Sequence, residues 1–427
     1  MGDKSKRIQE HAANIVKGFL AKQSMSLKSS VFSLPLPAKQ KAALYGIVVS
    51  ALSHFSRLNE FFLEVVDELS QKEFNFSLEF DAEHVIALYE LLEGPYKADS
   101  KKTLKRKRFP TFVRRFIVHI DFFRSKYEEL SNRLPEACPL TAASDMPLFV
   151  RSITAKLNGK PDDLLKNVYS FENTRKNAIN FSRMAKEGTV VIQDRASCFP
   201  PHVMMSALKN ENLDDYEDVC TLDMCAAPGN KTTYLAHMLN ELDPHITQKA
   251  VELNRRRYNL LRRNLDRHPF SKGVITYNKS CLDLTDSEKQ NVTHIMLDPS
   301  CSSSGVVRSV DAVLMSHVFG EPDLGKYTTF QKECLEESLS NMPMGRFLVY
   351  STCSVNNEEN EQMILDVLPL AREHGWELVK VCPELSTRGN DIASTNDSQL
   401  VAECSLRFEP GDTGNGFYIA AFKRTIR

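Results

Sequence analysis

Asp223-Met-Cys-Ala-Ala-Pro-Gly-Asn-Lys-Thr232 follows the apolar run Val219-Cys-Thr-Leu222 and opens a helical stretch, Thr232–Leu242. A strand, a turn of small residues and a helix in that order let a ligand approach the backbone and the helix N-terminus. The turn is not a phosphate loop, because Asn230 separates Gly229 from Lys231 and Met224 stands where the first glycine is needed. Nor does it contain G-x-G-x-x-G. Downstream the alternation continues, with helices expected over Arg256–Asp266, Tyr327–Met342 and Glu359–Glu373. Strands are expected over Lys249–Leu253, Gly273–Tyr277, His294–Leu297, Arg346–Tyr350 and Gly416–Lys423. Such alternation predicts an α/β fold with a doubly wound, mainly parallel sheet, in which ligands bind beyond the carboxyl ends of the strands.

That edge collects acids and thiols. The first of these strands runs into Asp223, the next reaches Glu252, and Asp283 follows the third. An acid at the second strand end typically accepts ribose hydroxyls, and Asp283 is placed to reach an adenine amino group. A nucleoside-bearing cofactor without a polyphosphate fits, and S-adenosylmethionine is one. The fourth strand leads into Asp298-Pro-Ser-Cys-Ser-Ser-Ser-Gly305 and the fifth into Tyr350-Ser-Thr-Cys-Ser354. Cys138, Cys334, Cys382 and Cys404 read as small buried hydrophobes. Cys301 and Cys353 differ, because two thiols converging on a ligand edge point to covalent chemistry. A free thiol is only a few per cent ionised at neutral pH, so such a site needs something that favours the thiolate.

Upstream, the first 140 residues read as mostly helical, with helical spacing over Leu44–Leu69 and Val85–Leu92 and a stop at Gly94-Pro95. Pro135 and Pro139 mark a boundary; beyond them lie a strand at Leu148–Arg151, a helix at Pro161–Lys166, a polar loop rich in Asn and Arg, and a strand at Val190–Ile192. The chain of 427 residues has 54 Lys+Arg against 55 Asp+Glu, so it is no wholesale polycation. The charge is uneven: residues 1–140 hold 22 basic and 17 acidic side chains. Lys97 to Lys126 carries much of the excess, including Lys105-Arg-Lys-Arg108, interleaved with Phe109, Phe112, Phe116, Phe122 and Phe123. A solvated helix face, a nuclear-localisation patch and a track for phosphate backbones all fit this run. The cluster Arg255, Arg256, Arg262, Arg263 and Arg267 leaves the same choice between an exposed helix face and a substrate track. No stretch is apolar enough for a membrane span, the start has no secretory h-region, and no Cys or His spacing suggests structural zinc. An intracellular soluble protein with reduced cysteines and no metal is expected.

Cys225-Ala-Ala-Pro-Gly-Asn-Lys-Thr232, Asp298-Pro-Ser-Cys301, Ser351-Thr-Cys-Ser354 and Gln193-Asp-Arg-Ala-Ser-Cys198 together resemble the Nol/Nop/Sun family of RNA cytosine-5 methyltransferases, over roughly residues 145–427. Within it, Leu88-Tyr-Glu-Leu-Leu-Glu-Gly94, the Asp298-Pro-Ser order and the ending Ala402–Arg407 with Gly416-Phe-Tyr418 look like the branch acting on large-subunit ribosomal RNA. The resemblance implies a Rossmann-like class I methyltransferase sheet, mainly parallel with an antiparallel final strand. It also implies three segments: a helical domain over 1–140, a small α+β RNA-contacting module over 141–190 and a methyltransferase domain over 191–427. Cys353 would attack C6 of the cytosine, Cys301 would assist release, and Asp298 would hold the base edge. The cofactor pocket would comprise Cys225, Ala226, Ala227, Pro228, Gly229, Asn230, Lys231, Glu252, Arg257, Asp283 and Asp298. Lys231 is also placed to lower the nucleophile's pKa through its charge. Large-subunit ribosomal RNA or pre-ribosomal particles would be the partner, in the nucleus and nucleolus, with no membrane. A transfer RNA substrate, and a non-catalytic assembly factor that binds pre-ribosomal RNA, remain alternatives. One departure stands out: many relatives have glycine where Ser303 stands, and a serine forced to positive φ there costs about 1 kcal/mol. Gly305 is left to absorb part of the turn.

Overall fold

The computed structural model describes residues 2–22, 26–71, 79–138, 146–172, 174–211, 219–307, 309–320, 322–411 and 414–424. It divides into two compact units, Met1–Thr141 with Ser309–Glu321, and Ala142–Arg308 with Pro322–Arg427. The boundary expected at 140/141 falls outside the described residues. Two features of this division differ from the sequence expectation: residues 146–190 share a unit with the sheet, and Ser309–Glu321 belongs to the helical unit.

The helical unit begins with α1 (Gly2–Leu20), α2 (Leu27–Phe32), α3 (Ala38–Ser53) and α4 (Phe55–Gln71). The run read as continuous from Leu44 to Leu69 is therefore broken at His54. There the Ser53 hydroxyl donates to the Ser50 carbonyl and His54 Nδ1 lies 2.7 Å from the same oxygen, so side chains compete with the helix ladder. α5 (Ala82–Leu88) is capped by Asp81, which accepts from the amides of Glu83 and His84, and continues as a π-helical turn over Tyr89–Glu93. α6 (Lys101–Arg106), α7 (Thr111–Val118) and α8 (Ile120–Leu130) complete the N-terminal set. Phe19, Val48, Phe61, Phe62, Val85 and Leu314 share one apolar core with Phe109, Phe112, Phe116 and Phe123. Four of the phenylalanines interleaved with the basic run are thus core residues and not base-stacking surfaces. Its cations divide as well. Lys101, Lys107 and Lys126 pair with Asp121, Asp99 and Glu68, and Arg124 donates to the Asp99 and Tyr96 carbonyls. Lys102, Lys105, Arg106, Arg108, Arg114 and Arg115 stay exposed.

Glu90 is buried in this core, accepting from Gln9 Nε2 at 2.6 Å, and burial pushes its carboxyl up from 4.5 to about 7. The folded state therefore keeps a proton that the unfolded chain loses near pH 4.5. The stability this confers is complete below pH 4.5 and is lost as pH rises through 7. Glu90→Gln accordingly leaves stability unchanged near pH 4 and raises it by about 2–3 kcal/mol at pH 8. Urea unfolding at the two pH values checks this.

The second unit opens with β1 (Leu148–Ser152), β2 (Lys160–Pro161), β3 (Val168–Phe171), α9 (Arg175–Lys186) and β4 (Val190–Ile192). The strands form a sheet of order β2-β3-β1-β4, antiparallel throughout. The helix expected over Pro161–Lys166 is absent. Pro161 ends β2, and the Asp162 carboxylate accepts from the amides of Leu164 and Leu165, making an Asx turn in place of a helical start. α10 (Phe199–Asn210) then precedes β5 (Cys220–Asp223), α11 (Asn230–Leu242), β6 (Thr247–Val251), α12 (Arg255–Arg267) and β7 (Ile275–Tyr277). The chain continues through α13 (Asp286–Lys289), β8 (His294–Leu297), α14 (Val310–Phe319, in the helical unit) and α15 (Leu324–Ser340). It ends with β9 (Phe347–Thr352), α16 (Glu361–Glu373), β10 (Trp376–Val379), α17 (Asn396–Cys404), β11 (Leu406–Phe408) and β12 (Phe417–Arg424).

The large sheet has the order β10-β12-β9-β8-β5-β6-β7, with β11 paired to β12. Strands β9 to β7 along that order are parallel, and β12 runs antiparallel to β9. This is the α/β sheet expected, mainly parallel with an antiparallel final strand. β5, β8 and β9 are buried on both faces, as strands covered by helices on two sides must be. Their carboxyl ends therefore deliver the turns after Asp223, Leu297 and Thr352 to one edge. Among the described residues no helix is long and apolar enough to cross a membrane.

Candidate active site

A cavity of about 730 Å³ lies at that edge, in the size range of small-molecule sites. Cys225, Ala227, Pro228, Glu252, Arg257, Asp298, Cys301 and Cys353 line it, together with Met224, Leu253, Tyr327, Phe330 and Ser303. The strand–turn–helix segment is shaped by Gly229, which caps α11 at φ +103° and packs so closely that a Cβ there would lie 2.9 Å from Leu261. Arg257 Nη2 donates to the Ala227 carbonyl at 2.7 Å, and Asn264 Nδ2 donates to that of Pro228 at 2.8 Å. The turn's carbonyls are thus tied to α12, leaving Ala227 and Pro228 as a cavity wall. Glu252 is buried at the end of β6; its carboxylate accepts from the Asn254 amide at 2.8 Å and lies 3.7 Å from Arg257 Nε.

Not every expected pocket residue reaches the lining. Ala226 is buried in the turn's packing, Gly229 and Asn230 form the helix start, and Lys231 reaches the site through Asp298. Asp283 closes a 3₁₀ turn whose first amides are satisfied by Ser280, and its side chain is exposed; Ser280 and Cys281 occupy the cavity wall in its place. Asp223, the first acid of the strand-end series, is also withdrawn. It is buried beneath the turn, accepts from Thr232 Oγ1 at 2.7 Å, and is pushed up to about 7 by burial.

At the other end of the cavity the two thiols meet. Cys301 Sγ and Cys353 Sγ are 3.2 Å apart. Their environments drive them in opposite directions. The hydrogen bond from Cys301 holds the Cys353 thiol below its ordinary range against burial and the Asp298 charge, with Ser303 and Lys231 adding to the effect. Cys301 is pushed well up, first by that same bond and then by burial. Cys301 keeps its proton and donates it, and Cys353 is the thiol set up to ionise. Lys231 has its ammonium 2.6 Å from Asp298 Oδ2, while Ser351 Oγ donates to Asp298 Oδ1 at 2.7 Å. Burial opposes the Lys231 charge, yet Asp298 holds its pKa above the ordinary value.

Several residues that build this site were not singled out in the sequence. Glu359 is fully buried and accepts from the Ser302 amide at 2.8 Å and from Gln331 Nε2 at 2.9 Å, fixing the Cys301 loop. Asn360 accepts from Thr352 Oγ1 at 2.6 Å and donates to the Ser354 carbonyl at 3.0 Å, holding the Cys353 turn from both sides. Arg407 pairs with buried Glu361 and donates to the Val355 carbonyl at 2.8 Å. Arg151 on β1, fully buried, donates to Thr233 Oγ1 at 2.8 Å and to the Asn230 carbonyl at 3.2 Å, tying the small sheet to the start of α11. An Asn or Glu six to eight positions after Cys353 was the available signal; the long-range partners had none. Ser303 takes the left-handed conformation, at φ +59°, and Gly305 lies as expected in the turn closed by the Val306 amide on the Ser303 carbonyl, where it also permits close approach, since a Cβ there would lie 2.6 Å from the Gly416 carbonyl oxygen. Of the cysteines read as apolar filling, Cys334, Cys382 and Cys404 are buried and Cys138 is half-buried. Away from the cavity, Cys382 lies with His202 and exposed Glu384 so that their ligand atoms fall within 4.8 Å of one another.

The profile of the 16S rRNA methyltransferase RsmB/F family matches residues 210–423, which contain both thiols and all of the large sheet except Arg424, the last residue of β12. The chain belongs to that family. Among curated relatives of this methyltransferase family, it is 35% identical over 269 residues to the 25S rRNA (cytosine-C(5))-methyltransferase rcm1 of Schizosaccharomyces pombe, covering 61% of this chain and 54% of that protein. It is 32% identical over 245 residues to a 28S rRNA (cytosine-C(5))-methyltransferase of Mus musculus, covering 56% and 48%. The chain thus spans about half the length of the curated relatives it matches. The solved structure described as "Crystal Structure of PH0851" superposes with a TM-score of 0.65 over 98% of this family member and 99% of that chain, at 17% identity, a likeness of fold alone.

Proposed function

We propose that this chain transfers a methyl group from S-adenosylmethionine to C5 of a cytosine in large-subunit ribosomal RNA, acting in the nucleolus. The observation that carries the reading is the Cys301–Cys353 pair at 3.2 Å, lining a cavity with a buried acid at its second strand end. The relatives named for 25S and 28S rRNA favour the ribosomal substrate over transfer RNA. The cavity fits the cofactor: Glu252 offers carboxylate acceptors to a ribose, and Met224, Leu253, Pro228, Tyr327 and Phe330 offer apolar walls to a purine. When bound, the cofactor supplies an electrophilic methyl group.

Everything else falls to the protein. The Cys353 thiolate adds to C6 of the cytosine, forming an S–C6 bond and moving the ring's electron pair to C5, which takes the methyl. Loss of the C5 proton and breakage of the S–C6 bond restore the ring and the thiolate, Cys301 assisting release. Asp298, bridged by Lys231 and Ser351, holds the base edge. The target must be unpaired or flipped out to reach this depth. Exposed Arg255, Arg256, Arg262, Arg263 and Arg267 on α12 supply phosphate contacts, which makes binding fall with added salt.

The test is incubation with radiolabelled S-adenosylmethionine and unmodified large-subunit ribosomal RNA or transfer RNA. Label in cytosine of the ribosomal RNA alone supports the proposal. Label in transfer RNA alone overturns the substrate, and cofactor binding without label in either favours an assembly factor that does no chemistry.

A further inference from the structure

Ser303 is held at φ +59°, a conformation unfavourable for any residue with a Cβ. In that conformation its hydroxyl comes to 3.4 Å from Cys353 Sγ, the one hydrogen-bond partner its side chain has among the described residues. The neighbouring hydroxyls are engaged elsewhere, Ser302 with Glu359 and Ser304 with Ser354. The loop that carries Ser303 is fixed on both sides, through the Ser302 amide on Glu359 and the Gly305 amide on the Cys353 carbonyl at 3.0 Å. The groups facing Cys353 are thus Cys301 and Ser303 from the loop after β8, Asp298 from its strand end, and Lys231 from α11. Asp298 repels a thiolate, Lys231 is already spent largely on Asp298, and Cys301 has one proton to donate.

We infer that Ser303 is a positioning residue for the nucleophile, its O–H donating to the Cys353 thiolate as a second hydrogen bond beside that of Cys301. In the thiol form Cys353 donates to Ser303; on ionisation the hydroxyl turns and donates back, so that the anion meets two donors without repacking. The inference rests on the proposed role of Cys353 as nucleophile. Backbone strain of the left-handed serine is the structural cost of placing a hydroxyl where glycine would fit the turn better.

Ser303→Gly and Ser303→Ala separate hydroxyl from backbone, since both remove the O–H but only glycine relieves the strain. The rate of iodoacetamide alkylation of Cys353 in the full chain is followed against pH by peptide mass spectrometry, without RNA or cofactor. Both variants are expected to move the alkylation midpoint up by about one pH unit, slowing reaction below it roughly tenfold. Methyl transfer should fall by a similar factor near pH 7 and recover at alkaline pH, with the thermal midpoint of Ser303→Gly at or above that of the parent. An unchanged alkylation profile in both variants overturns the inference, and so does a change confined to Ser303→Ala, which would assign the effect to the backbone. The alkylation requires no turnover, so a parent chain that transfers no methyl group refutes the proposed function while leaving the Ser303 result readable.

Discussion

Cys353→Ala is expected to abolish methyl transfer, by about a thousandfold or more, because it removes the thiolate that bonds to C6, and the neighbouring Cys301 thiol is pushed well up and so disfavoured as a replacement nucleophile. Cys301→Ala should behave differently, and the 3.2 Å contact says how. Removing Cys301 takes away the donor that does most to favour the Cys353 thiolate, so attack slows. It also removes the thiol placed to assist β-elimination, so release slows further and the covalent protein–RNA adduct accumulates. A denaturing gel of each variant after incubation with substrate RNA and cofactor should show a retarded band for Cys301→Ala and none for Cys301→Ala/Cys353→Ala. A band that survives in the double variant, or free turnover by Cys301→Ala, reverses the assignment of the two thiols.

The second large effect concerns a pair remote from the sulfur atoms. Glu361 is fully buried and Arg407 is 4% exposed. Arg407 Nε donates to Glu361 Oε1 at 2.9 Å, and the guanidinium also reaches the Val355 carbonyl and, at 2.9 Å, Asn357 Oδ1. With the further bond from Nη2 to Glu361 Oε2, the planar cation makes four bonds, two anchoring it to Glu361 and two holding the loop that follows Cys353. Glu361→Ala leaves that buried cation with only the exposed Glu409 carboxylate, 3.8 Å away, as an ionic partner, and a loss of about 3–5 kcal/mol is expected on urea unfolding. Glu361→Leu/Arg407→Met replaces the charges with apolar volume and should recover most of that stability. Methyl transfer should stay impaired in the double variant, because the Val355 carbonyl and Asn357 then lose the guanidinium that ties them together. Full activity alongside recovered stability would show that the pair serves folding alone.

These expectations draw on different levels of the molecule. The alternation of buried strands with amphipathic helices was legible because parallel strands covered on both faces carry near-continuous apolar runs, as in His294–Leu297 and Phe347–Thr352. The motif turns were legible because small residues and Pro/Gly have few other uses at strand ends. Errors came where local chemistry competed with periodicity. Asp162 closes a turn on its own following amides, and the Ser53 hydroxyl and His54 ring compete with the His54 amide for the Ser50 carbonyl. The phenylalanines of the basic run illustrate the limit of composition, since alternating aromatic and cationic residues suit an RNA surface and an amphipathic helix equally well.

The sequence by itself determined the order of elements, the edge at which the turns collect, and the identity of the two thiols. These follow from local pattern, for a strand end is a position along the chain. Only the tertiary structure decided which acids face the cavity and which do not. Asp223 ends β5 and Asp283 follows β7 as Glu252 follows β6, yet one is buried under the turn and the other lies six residues beyond its strand, closing an exposed 3₁₀ turn. Only the structure, likewise, could show Ser303 beside Cys353 and Arg407 beneath its loop, at sequence separations of 50 and 54 residues. Hydrogen-bond geometry over tenths of an ångström depends on how distant strands register, and no local pattern carries that information.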